Sequence, residues 1–178
     1  MTRVLNDTEL KRLHRTWRRE SEAPLALLLD RVNGPFNVGS ILRTAAAFRV
    51  EAVFACGSEI SWTDAKVQKT AMGTHRFLDL ASFETSAEAV AEIKQRGYRL
   101  VGIELATEAK PLWEVDLTTP TCLVVGHEDK GVSSETLNAC DDVAFIPLMG
   151  KVGSLNVATA ASMAVYEARR QDLARKTR

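Results

Sequence analysis

With three cysteines, three histidines and no long apolar run, this 178-residue chain carries few of the devices that announce a function. Cys56, Cys122 and Cys140 are odd in number and lack metal-site spacing, which points to reduced thiols in a cytoplasm. His14, His75 and His127 are equally scattered, so no metal site is expected. Apolar runs such as LALLL at 25–29 fall far short of the ~20 residues of a membrane helix. The opening MTRVLNDTELKRLHRTWRRE has no apolar core behind its charges, unlike a secretory signal. Also missing are a G-x-G-x-x-G after the first predicted strand and the acidic residue that should follow about 20 positions later. GHEDKGVS at 126–133 imitates a phosphate loop without matching G-x-x-x-x-G-K-[ST]. Hydride transfer and kinase-type nucleotide chemistry are set aside on these grounds.

Net charge is absent too, with 23 Lys and Arg against 23 Asp and Glu, but the balance is uneven. Residues 1–20 hold six basic and three acidic side chains, and residues 169–178 hold five and one. The ends therefore stand at +3 and +4 and the middle at −7. Either these are two solvated helix ends, or they are basic arms that gain by displacing counterions from a phosphate backbone. Trp17 lies among Arg15, Arg18 and Arg19, either adding an aromatic to such an arm or docking its own helix.

What is present is an alternation of strands and helices. DTELKRLHRTWRRE predicts a helix capped by Asn6 or Asp7. Apolar runs at 24–30, 51–56, 98–104, 121–126 and 143–148 predict buried strands. Helices are predicted over 37–48, 86–97 and 133–140, and a last one follows the 150–156 loop. Strands of this kind, interleaved with helices, indicate an α/β fold: a parallel sheet flanked by helices on both faces. No repeat or low-complexity linker divides the chain, so one domain is expected.

Ligands in such sheets bind beyond the carboxyl ends of the strands, and the loops there carry the chemistry. NVGSILRTAAAF (37–48), LVVGHEDKGVS (123–133) and IPLMGKVGSLNVATAASMAVYEARR (146–170) follow one another in order. Together they resemble the three motifs of the SpoU–TrmH family of RNA ribose 2'-O-methyltransferases, in the SPOUT superfamily. The likeness runs from about residue 24 to about residue 170. It implies a C-terminal deep trefoil knot, a homodimer, S-adenosylmethionine as cofactor and RNA as partner. Residues 1–22 then form a basic helical arm, 23–170 the methyltransferase domain and 171–178 a short basic tail.

The resemblance assigns roles residue by residue. Ile103, Glu104, Leu105, Gly126, Ile146, Leu148 and Leu155 would line the cofactor pocket, and the glycines of MGKVGSLN would allow close backbone approach. Without the family match, the apolar members read as ordinary core. Arg43 matches the family's catalytic arginine, and either orients the target phosphate or accepts the hydroxyl proton. Asn37 would fix the arginine and its loop, or cap its helix, or both. Glu128 would brace the site, with a solvated loop acid as the alternative, and Ser154 and Asn156 would hydrogen-bond near the cofactor or the dimer mate, with turn chemistry as the alternative. Arg15, Arg18 and Arg19 are the expected RNA contacts. Transfer RNA, modified at a D-loop guanosine, is the expected substrate; ribosomal RNA is the alternative, and a non-catalytic RNA-binding protein of the same fold is a third.

Overall fold

A computed structural model of the chain describes residues 2–175. Seven strands form one sheet in the order β3-β2-β1-β6-β4-β7-β5, and every pairing between them is parallel. The strands are β1 (Leu25–Asp30), β2 (Ala52–Cys56), β3 (Asp79–Phe83), β4 (Arg99–Ile103), β5 (Lys110–Pro111), β6 (Thr121–Gly126) and β7 (Asp142–Phe145). The α-helices are α1 (Asp7–Glu20), α2 (Pro35–Ala47), α3 (Ala65–Ala71), α4 (Ser86–Gln95), α5 (Ser134–Ala139) and α6 (Val157–Arg175).

The centre of the sheet is buried on both sides, as its unbroken apolar runs require. Leu25, Leu27 and Leu29 of β1 face one core with Ile41 and Leu42 of α2, Val67 of α3 and Val165 of α6. Ala26 and Leu28 face the opposite core with Ala89 and Ile93 of α4. That alternation is the period-two geometry of a strand. Among the described residues no helix is long and apolar enough to cross a membrane.

Several boundaries differ from the sequence reading. Helix α2 starts at Pro35, whose fixed φ suits the first helical position, and Gly34 precedes it. Asn37 is therefore the third residue of the helix and not its cap. Strand β7 ends at Phe145, so Ile146, Pro147 and Leu148 leave the sheet as coil. Strands β3 and β5 and helix α3 were not predicted. Residues 171–175 continue α6, and 176–178 lie outside the described residues. Asn6 caps α1 with a reciprocal capping box to Glu9.

Candidate active site

A cavity of about 500 Å³ opens at the carboxyl ends of β4, β6 and β7. Its size falls within the usual range for small-molecule sites. Ile103 and Gly126 close their strands there, and Glu104, Leu105, Ile146, Leu148 and Leu155 complete the wall. All seven residues expected to hold the cofactor thus line one cavity. Glu128 and Ser154 line it as well, and so do His127, Asp129 and Lys130, which sequence reasoning did not single out.

The loop from 127 to 131 turns back on itself through paired backbone hydrogen bonds between His127 and Gly131. His127 Nδ1 accepts from the Asp129 N–H at 3.0 Å. A Cβ on Gly126 would sit inside the Gly131–Val132 backbone. Gly131 takes φ +66°, where a side chain would also meet the Glu104 carboxylate. Glu104 accepts from the Val132 N–H at 3.0 Å and from the Leu105 N–H at 2.9 Å, tying the end of β4 to the loop that follows β6. At Gly150 and Gly153, by contrast, a Cβ would meet nothing within 4 Å. The protein's own packing needs its glycines at 126 and 131.

Asn37, Glu128 and Asn156 come from three separate motifs and meet at the rim. Asn37 Nδ2 donates to Glu128 Oε1 at 2.8 Å, and Asn37 Oδ1 accepts from Asn156 Nδ2 at 2.9 Å. Glu128 also accepts from the backbone N–H groups of Gly34 (2.9 Å) and Asn33 (3.3 Å), ahead of α2. Burial pushes its carboxyl up, but these bonds outweigh that and hold its pKa below the ordinary value. Asn156 Oδ1 accepts from the N–H groups of Ala158 (2.9 Å) and Thr159 (3.3 Å), so the capping asparagine is Asn156, on α6.

Arg43 stands apart from this network. It lies six residues beyond Asn37 on α2, about 9 Å along the axis. Its side chain is exposed, and Nη1 donates to the thioether of Met72 at 2.7 Å. Arg15, Arg18 and Arg19 are exposed on α1, which buries none of its residues. Asp30, missed from sequence, is fully buried at the end of β1 and accepts from the Ser133 N–H at 2.6 Å. An acid closing the apolar run LLLD was the available signal. Among the described residues no cluster of His, Cys, Asp or Glu has the makings of a metal site.

A family model described as the SpoU rRNA Methylase family matches residues 24–166. A 23S rRNA (guanosine-2'-O-)-methyltransferase, RlmB of Pseudomonas aeruginosa, is 39% identical over 154 residues, covering 86% of this chain and 61% of that protein. A tRNA (guanosine(18)-2'-O)-methyltransferase of Escherichia coli K12 is 33% identical over 150 residues, covering 83% and 63%. The chain thus spans about three fifths of the length of these curated relatives. The crystal structure of the SpoU methyltransferase AviRb from Streptomyces viridochromogenes, in complex with the cofactor AdoMet, superposes with a TM-score of 0.80 at 30% identity. It covers 86% of this chain and 62% of that one.

Proposed function

This chain belongs to the SpoU rRNA methylase family, and from that membership and the site's geometry we propose that it methylates a ribose 2'-hydroxyl of RNA. The observation that carries the reading is the junction of Asn37, Glu128 and Asn156 at the rim of the cavity that all seven expected cofactor residues line. The cavity mixes apolar wall from Ile103, Ile146 and Leu155 with polar rim, which fits the mixed surface of S-adenosylmethionine. That cofactor would supply a methyl group activated on a sulfonium.

The chain's own residues have the remaining tasks. A ribose hydroxyl is a poor nucleophile until its proton is drawn off and its oxygen is aligned. Arginine side chains keep their protons in proteins, so Arg43 is assigned to the target's phosphate, whose oxygen can accept the hydroxyl proton. Releasing Met72 would free Arg43 for that contact, since a thioether is a weak acceptor. Asn37 and Glu128 hold the start of α2, and Asn156 ties the start of α6 to it, so the phosphate-binding helix and the cofactor loop share one anchor. Ser154, on the cavity wall, is a polar contact for the bound ligands. Arg15, Arg18 and Arg19 extend the phosphate contacts along α1.

Both relatives are named for a guanosine, and we take a guanosine of structured RNA as the target. The form of the first motif favours the D-loop of transfer RNA. Ribosomal RNA is the second reading, supported by the higher identity to the relative named for 23S rRNA. A homodimer is part of the proposal: an apolar groove formed by Phe48, Trp113, Pro147, Met163 and Tyr166 beside α6 offers a surface to cover. We read the segment from β7 through α6 as the family's knotted portion. Three unpaired cysteines support a reducing, cytoplasmic setting.

The test is transfer of labelled methyl from S-adenosylmethionine to bulk tRNA and to 23S rRNA, followed by mapping of 2'-O-methyl positions. Label in a guanosine ribose of one of them is the expected result. Arg43→Ala should bind cofactor and RNA with modest loss while single-turnover transfer falls by orders of magnitude, the signature of a group used in the transition state. Near-normal turnover in that variant would remove Arg43 from the mechanism.

A further inference from the structure

Phe36 is 64% exposed, an uncommon state for an aromatic flanked by a proline and the network asparagine. It lies seven residues before Arg43 on α2, two turns away, so the two project from one helix face about 10 Å apart along the axis. Ser40 sits between them on that face, half-buried, and its hydroxyl finds no side-chain or backbone acceptor among the described residues. The face therefore presents an aromatic plane, a free hydroxyl and a cation in a row. That row begins beside Asn37, which touches the cavity rim through Glu128.

We propose that this stripe is a subsite for one unstacked RNA nucleotide, with its base against Phe36, its sugar over Ser40 and its phosphate on Arg43. The inference rests on the methyltransferase reading above and adds to it a residue outside the cofactor pocket that selects how the RNA lies. An aromatic side chain is suited to the task because every base has a π-face, and sequence-directed RNA recognition works on bases splayed from the helix. The charge order matches as well, since the guanidinium stands where the backbone phosphate would lie. A stack contributes affinity without releasing counterions, whereas a phosphate contact contributes both.

The experiment compares wild type, Phe36→Ala, Phe36→Leu, Phe36→Trp and Arg43→Ala in the full chain. Binding to bulk tRNA is measured across a salt series, and cofactor affinity by calorimetry. Phe36→Ala and Phe36→Leu should each weaken tRNA binding about 5- to 150-fold, the equilibrium equivalent of one base–aromatic stack. Their log affinity against log salt slope should stay that of wild type, and their cofactor affinity should be unchanged. Phe36→Trp should bind as well as wild type or better. Arg43→Ala should instead flatten the slope by about one unit. If Phe36→Leu binds like wild type, the contact is merely apolar and the stacking subsite is wrong. If Phe36→Ala binds like wild type, the nucleotide is not held there at all. Failure of the wild-type protein to bind cofactor, or to bind either tRNA or 23S rRNA, would overturn the methyltransferase reading itself, and with it this one.

Discussion

Glu128 and Gly126 show how much of the site is set by single atoms. The Glu128 carboxylate braces three donors at the start of α2 and carries a lowered pKa. Because its folded pKa lies below the unfolded one, its contribution is present above the unfolded value and lost as pH falls through the folded value. The difference in Tm between wild type and Glu128→Gln should therefore hold steady above about pH 5 and shrink below it. A difference that grows on acidification would mean the brace is not ionised. Gly126 makes a steric demand instead, because any Cβ there collides with the backbone of the loop that faces it. Gly126→Ala should cost about 1–3 kcal/mol in urea unfolding, the usual cost of overpacking, while Gly150→Ala should stay within about 0.5 kcal/mol. The motifs made Gly126 and Glu128 legible as pocket residues. The reason Gly126 is required, a backbone 5 residues downstream folding over it, is a tertiary fact that no local pattern carries.

At the level of elements, legibility followed burial. The fully buried strands β1, β2 and β6 read as continuous apolar runs, and α1 and α4 declared themselves by cap and period. Strand β3 escaped because DLASF lies at the sheet edge with no fully buried residue. β5 is two residues long, and α3 is a single short stretch, AKVQKTA, with only Val67 and Ala71 buried. The overlong last strand, read to Leu148, shows the reverse error: Ile146 and Leu148 are apolar because they wall the cavity. Helix α1 is the least anchored element. Leu10, Leu13 and Trp17 remain 40–48% exposed, and Arg49 secures its far end by donating to the carbonyls of Arg18 and Ser21. Helices with little buried surface open locally at small cost. Brief trypsin treatment should cut within α1 before the rest of the chain, and bulk tRNA should slow that cut if the arm binds phosphate. Equal cutting with and without tRNA would separate α1 from the RNA.

Across the whole molecule, the segment between α1 and β1 is clasped to α6 through one buried pair. Asp172 is fully buried and accepts from Ser21 Oγ and the Glu22 N–H at 3.0 Å, and from the Ala23 N–H at 3.3 Å. Arg169, 6% exposed, donates to the carbonyls of Ala23 and Arg49 at 2.6 Å and of Phe48 at 2.8 Å. Burial pulls the guanidinium pKa down, and Asp172 opposes that. In sequence these residues read as part of a basic terminal stretch, because RRQDLAR has the composition of a solvated helix end. Only the packing of α6 against α2 and the segment before β1 turns two of its charges inward. The same helix supplies its own control, since the half-exposed Arg170 pairs one turn away with the partly buried Glu167 at 2.7 Å. Exposed pairs at that spacing contribute about 0.2–0.5 kcal/mol. Removing one partner of a buried pair strands the other and costs about 3–5 kcal/mol. Asp172→Ala should lower the urea midpoint by that free energy divided by the slope, with the slope itself unchanged, and Arg170→Ala should barely move it. Equal shifts in the two variants would mean that the clasp is no stronger than a surface ion pair, and that α6 is held to the N-terminal segment by its apolar face alone.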